Sequence, residues 1–163
     1  MQKKLRIGLF SFTCDEGCSM IFLEMLNNKF FEWQQFIDFA YCRLLKEKNE
    51  LNDLDLAFIE GAIATCEEEL MLKRIRANAK KLIAIGSCAI NGMPSNQRNF
   101  FQEKELNEIK PILERFCHLE KVKAPTEIVK VDETIPGCPV IQEKFEELIE
   151  KYIKEFKVKK CIE

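Results

Sequence analysis

Strand-length apolar runs alternating with amphipathic helical patterns predict an α/β fold, a doubly wound parallel sheet of about five strands. Three observations carry this expectation. Runs rich in aliphatic and aromatic residues recur at 6–12, 36–41, 54–61, 81–87 and 127–135. Between them, apolar residues return at three- and four-residue spacing. The chain has 163 residues and is 47% hydrophobic, enough for one domain with a sizeable core.

Each element follows from its own residues. The first run, RIGLFSF, is followed by a helical pattern over 19–28 carrying Met20, Leu23, Met25 and Leu26. The second and third runs come next. The segments 29–35 and 43–53 are polar and only weakly periodic, so no element is assigned to them. A helix over 67–77 carries Leu70, Leu72 and Ile75; its acids Glu67, Glu68 and Glu69 suit a solvated helix N-terminus. After the fourth run, 92–101 (GMPSNQRNFF) reads as a loop whose Phe100 and Phe101 anchor it or face a partner. A helix over 104–116 carries Leu106, Ile109, Ile112 and Leu113. The last helix is expected to begin at Pro139, a favoured first-turn residue, and to align Phe145, Leu148, Ile149, Tyr152, Ile153 and Phe156. No repeat, low-complexity tract or linker interrupts the pattern, so 1–163 is expected to form a single domain. The flavodoxin-like strand order fits best, with ligands outside the carboxyl ends of the strands.

Charge narrows the function classes. Twenty-five basic residues against 27 acidic give a net charge of -2, which does not suit electrostatic binding to nucleic acid or an anionic membrane. No stretch approaches the roughly 20 apolar residues of a membrane span. The basic start before an apolar run is too short for a secretory signal and lacks a small-residue cleavage site. The protein is therefore expected to be cytoplasmic. Eight cysteines in such a chain point to metal binding or buried thiols rather than disulfides.

Four of those cysteines fall where strands run out into turns: Cys14 and Cys18 in SFTCDEGCS, Cys88 in AIGSCAING and Cys138 in TIPGCPV. If the strands are parallel, all converge on one edge of the sheet. A thiolate-only set favours an iron–sulfur cluster or zinc. Each segment alone has a plainer reading. C-x3-C can be one redox thiol beside one packing thiol, and Cys88 can be a small buried residue starting a helix. Cys138 between two prolines is a pattern that recurs at iron–sulfur ligands. The coincidence of all three segments is what argues for a metal site.

The remaining cysteines are weighed differently. Cys42, Cys117 and Cys161 are expected to be packing or incidental thiols. Cys66 follows the third strand and is either a fifth thiol beside the site or a substitute for Cys14. His118, the only histidine, reads as solvated surface after a helix. No phosphate-binding glycine motif is present.

These segments together resemble the small subunit of [NiFe]-hydrogenases, homologous to the 20-kDa subunit of respiratory complex I. The resemblance runs through the cysteine turn after the first strand, FIEGAI, IAIGSCAINGMP and IPGCP. It implies one proximal [4Fe-4S] cluster, with Cys88 and Cys138 as the third and fourth ligands and Cys18 as the second. Cys14 stands one residue further from Cys18 than the family's C-x2-C. Glu60 and Gly61 match the turn that packs near the cluster. The resemblance also implies a large-subunit partner carrying the nickel–iron site, and a further electron-transfer subunit or soluble carrier. The sequence stops after the last helix without a cysteine-rich extension, so the likeness is to the short cytoplasmic types. Their role is electron relay, with H2 chemistry in the partner; no catalytic residue is expected here. Ser19 stands where some relatives carry a proton-transferring glutamate. Met20–Phe22 and the 94–101 loop are candidates for the partner face, Met20–Phe22 being equally well read as core.

Two other readings remain open. One keeps the cluster in a complex I-like or formate-hydrogenlyase-like relay without nickel. The other is a flavodoxin-like domain binding flavin, with zinc or redox-sensing thiols. FMN has no clear phosphate-binding loop to receive it, since Thr13–Gly17 is occupied by cysteine and acids.

Overall fold

The computed structural model of the chain describes residues 4–162, with side chains described over 4–157. In chain order the elements are β1 (Leu5–Ser11), α1 (Gly17–Trp33), β2 (Ile37–Cys42), β3 (Leu54–Glu60), β4 (Ile63–Thr65), α2 (Cys66–Asn78) and β5 (Ala79–Ile85). They continue with α3 (Gly86–Asn91), α4 (Glu103–Arg115), β6 (His118–Lys123), β7 (Glu133–Ile135) and α5 (Gln142–Ile162). Five strands form an all-parallel sheet in the order β2-β1-β3-β5-β7. This is the expected flavodoxin-like order.

The period-two alternation of the strands explains why both faces are covered. Ile7, Leu9, Leu56, Phe58, Ile83 and Ile85 point into one apolar cluster with Phe22, Trp33, Phe145 and Ile149 of α1 and α5. Their neighbours Phe10, Ala57, Ile59, Leu82 and Ala84 point into a second cluster with Leu72 and Ile75 of α2. A parallel strand buried on both sides must be apolar at nearly every position, and these are. The pairs Ser11↔Glu60 and Ile85↔Ile135 bring the strand ends level at one edge.

Several boundaries differ from the sequence expectation. Residues 29–33 continue α1, because their polar groups pair with another helix: Lys29 Nζ lies 2.8 Å from Glu146 and 3.1 Å from Glu150 on α5. Trp33 closes α1 in the core. Strand β6 was not expected. Val122 is its only buried residue, so HLEKVK carries no strand signature, and it pairs antiparallel with the three-residue β4 in a separate small sheet. His118 is therefore not free surface; it is half-buried, with Nδ1 3.2 Å from the Ala64 carbonyl. The fifth parallel strand shrinks from 127–135 to β7. A 3-10 turn at Pro125–Glu127 precedes it, and the Asp132 carboxylate accepts from Leu82 N–H at 2.8 Å. Helix α5 starts at Gln142 rather than Pro139. Gly137 and Val140 close a bridged turn, and Ile141 N–H donates to the Pro136 carbonyl at 3.1 Å before the helix begins.

Phe22 belongs to the core, its ring 5.7 Å from that of Phe145, so only Met20 of the 20–22 stretch is fully exposed. Cys42 is buried as a packing thiol, whereas the Cys161 side chain lies outside the described residues.

Candidate metal centre

Cys14 lies in the loop leaving β1. That loop is pinned by a two-way backbone bridge between Thr13 and Ala62, at 3.0 and 2.9 Å. The Cys14 sulfur accepts from Glu16 N–H at 3.3 Å and sits 3.6 Å from Ser11 Oγ. Cys18 is the second residue of α1 and is buried. Its thiol points at the Ile85 carbonyl, 3.9 Å away, at the end of β5, and the Val140 N–H approaches its sulfur.

Gly86 is what admits this approach. It has φ +80°, and a Cβ there would stand 2.5 Å from the Cys18 sulfur. Cys88 follows in the first turn of α3, its sulfur accepting from Ser95 Oγ at 3.3 Å. The Cys138 turn is tied onto the same corner. The Gly137 carbonyl accepts from Ser87 N–H at 2.8 Å and Ser87 Oγ at 3.0 Å, leaving Cys138 exposed beside it.

The thiols feel one another. Burial pushes the Cys14 thiol up to about 11 and the Cys18 thiol up to about 12; Glu60 and Cys88 add to both rises, and Cys14 adds to that of Cys18. At neutral pH both are therefore protonated in the metal-free chain, and binding a thiophilic cation must release both protons. Cys14, Cys18 and Cys88 thus share one electrostatic neighbourhood, and the Gly137–Ser87 link ties the Cys138 turn to it. Among the described residues, no three metal-ligating side chains converge on a single point. Cys66 opens α2 and is exposed, outside the contacts that join these four segments.

A carboxylate lies beneath this corner. Glu60, 1% exposed at the end of β3, accepts from Ser19 N–H at 3.1 Å and also from the Ser19 hydroxyl. Helix α1 has no side-chain cap of its own, since Glu16 occupies that position in a left-handed conformation. Glu60 supplies the missing N-terminal acceptor from across the sheet and fixes the turn that carries Cys18. In the sequence, Glu60 is marked only by the resemblance that matches it and Gly61 to a turn near the cluster. The sulfur-bonding roles of Ser11 and Ser95 carried no such signal.

Burial raises the Glu60 pKa, and the bonds from Ser19 only partly offset this. The folded chain then keeps a proton that the unfolded chain loses from about pH 4.5 upward. Stability lost through this group as pH rises between 4.5 and the raised value is expected to vanish in Glu60→Gln. Urea unfolding of the metal-free chains across that range checks it: the difference between variant and parent should grow with pH, and a constant difference would contradict it.

A cavity of about 470 Å³ opens beside Ser11 and Ser19 at the ends of β1 and β2. Its wall carries Glu16, Glu67 and Glu68 against Arg43. Three acids facing one guanidinium make a poor receptor for the phosphate of a flavin, and FMN gains no support from this edge.

Residues 14–152 match the family model described as NADH ubiquinone oxidoreductase, 20 Kd subunit. Among curated proteins, the chain is 28% identical over 151 residues to the Sulfhydrogenase 2 subunit delta of Pyrococcus furiosus, covering 90% of this chain and 61% of that one. It is 29% identical over 155 residues to a subunit of the F420-non-reducing hydrogenase of Methanothermobacter thermautotrophicus, covering 85% and 50%. The NAD-reducing hydrogenase HoxS subunit delta of Cupriavidus necator is 25% identical over 154 residues, covering 83% and 72%. The chain thus spans between half and three-fifths of the first two relatives. Among solved structures, an NAD+-reducing [NiFe]-hydrogenase in the H2-reduced state superposes with TM-score 0.82 at 25% identity, covering 94% of this chain and 93% of that one. The Ni-Fe-Se hydrogenase of Desulfomicrobium baculatum shares the fold, with TM-score 0.59 at 15% identity over 85% of this chain and 57% of its own.

Proposed function

The chain belongs to the NADH ubiquinone oxidoreductase 20 Kd subunit family, and on that premise we propose that it is the electron-transfer subunit of a cytoplasmic [NiFe]-hydrogenase. In this reading 1–163 is a single domain that holds one proximal [4Fe-4S] cluster through Cys14, Cys18, Cys88 and Cys138. The observation that carries it is the gathering of these four thiol segments at one sheet edge, with hydrogen-bond donors aimed at three of the sulfurs. The donor set fits the group: soft sulfur ligands, each of the three beside an N–H or O–H. The cluster supplies one-electron transfer.

The chain's own residues do the rest. The amides of Glu16 and Val140 and the hydroxyl of Ser95 spread the negative charge of the bound thiolates. Buried Ile85 and Ile135 keep water from the inner side. Met20, Met93 and Ile141, all exposed, each follow one of the cysteines within five residues and ring the edge with apolar surface. That surface suits the large subunit, with Phe100 and Phe101 extending it. Among the described residues no helix is long and apolar enough to cross a membrane. Electrons leave to a further subunit or soluble carrier.

The test is metal analysis of the protein purified without oxygen together with its partners. About four iron and four sulfide per chain, with nickel in the partner, is the expected result. Iron without nickel would favour the complex I-like or formate-hydrogenlyase-like relay instead. Zinc alone would overturn the cluster. In the same preparation, Cys14→Ser is expected to lose iron while Cys66→Ser keeps it; the reverse would move the first ligand to Cys66.

A further inference from the structure

We propose that Cys66 and Cys117 form a reversible disulfide, a thiol-oxidation site separate from the four cysteines of the metal centre. β4 and β6 run antiparallel with a register shift between Ile63 and Thr65, and the outermost pair beyond that shift is Thr65↔His118. Cys66 follows Thr65 and Cys117 precedes His118, so the two cysteines are the next facing positions. Facing residues in an antiparallel ladder have Cα atoms about 4.5–5.5 Å apart, and a disulfide spans about 4.4–6.8 Å. The chains begin to part here, as Cys66 enters α2 and Cys117 turns out of α4 at φ +52°. A bridge requires this parting to stay within the wider end of the disulfide range. Both thiols are exposed, so a small oxidant reaches either one.

The chemistry balances with a low-molecular-weight disulfide as oxidant. One cysteine thiolate attacks it and releases a small thiol. The second cysteine then attacks the mixed disulfide and releases the other. Two protein thiols are oxidised, the small disulfide is reduced, and the protons leave on the released thiols.

The bridge would act on the metal centre through existing contacts. Two residues beyond Cys66, Glu68 accepts from Thr13 Oγ1 at 2.9 Å, and Thr13 directly precedes Cys14. The other Glu68 oxygen accepts from Ala64 and Thr65 N–H, at 2.7 and 3.1 Å. A covalent tie at Cys66 therefore clamps the helix end that braces the Cys14 loop to β6.

The site does not depend on the cluster, and its test reads covalent structure rather than activity. The full chain, purified without oxygen, is treated with glutathione disulfide and mapped by non-reducing peptide mass spectrometry. A linked Cys66–Cys117 peptide pair is expected, with the intact mass lower by two hydrogens and restored by dithiothreitol. Cys66→Ser and Cys117→Ser, both exposed changes that leave the fold intact, should each abolish it. Stable glutathione adducts on Cys66 or Cys117 without a bridge would overturn the proposal. So would a bridge from Cys66 to Cys14.

Discussion

Serine in place of Cys88 is expected to strip iron from the protein, from about four atoms per chain to below about one. A hydroxyl is a hard donor that stays protonated near neutral pH, so it does not replace a thiolate on iron. The loss should be specific. Cys88 is half-buried in the first turn of a short helix, and its sulfur has one side-chain donor, Ser95. Exchanging sulfur for oxygen leaves that bond possible, so the metal-free chain should melt where the parent does. Cys138→Ser should behave alike, since that side chain is exposed and its turn is held by Gly137 and Ser87. Iron and sulfide analysis beside far-ultraviolet circular dichroism reads both quantities at once. Full iron content in either variant would remove that cysteine from the ligand set.

The second large effect is expected at Gly86. Alanine there meets two obstacles. Its φ of +80° lies in the left-handed region, costing an L side chain about 1–2 kcal/mol. The new Cβ would also lie 2.5 Å from the Cys18 sulfur, so Cys18 or the β5–α3 turn must move. Overpacking of that kind costs about 1–3 kcal/mol. Together these place the loss in the range of about 2–5 kcal/mol, measurable as a lower urea midpoint in the metal-free chain. The displaced Cys18 should lower iron retention as well. Cys18→Ala in the same background separates the two causes, because it relieves the contact and leaves only the backbone cost. If Gly86→Ala and the double variant are equally unstable, the sulfur contact is not what restricts this position.

The sheet was legible because its strands are buried on both sides. Runs such as LDLAFIE, and the LIAI that follows the two lysines of β5, are apolar at nearly every position, and only a doubly covered parallel strand requires that. Helix α5 was legible for the opposite reason. One face alone is buried, so Phe145, Ile149, Tyr152 and Ile153 stand out by spacing. Strand β6 was not, since its paired backbone holds it in place while its side chains stay mostly wet. The end of α1 was hidden likewise, because Lys29 finds its partners more than a hundred residues away on α5.

At the centre, the sequence by itself determined which cysteines stand at strand ends, since an apolar run followed by a turn residue and a thiol is a local pattern. The family resemblance, rather than any local pattern, pointed to Glu60 as part of the turn beside the cluster. Tertiary structure alone decided that Glu60 caps α1 from across the sheet, that Gly86 makes room for the Cys18 sulfur, and that Ser95 reaches Cys88. It also set Thr65 opposite His118, the residues beside Cys66 and Cys117, through the pairing of two strands with little apolar pattern. The division has one cause. Burial periodicity is written into neighbouring residues, whereas a hydrogen bond or a close approach between distant segments depends on register and packing, which no local run of residues records.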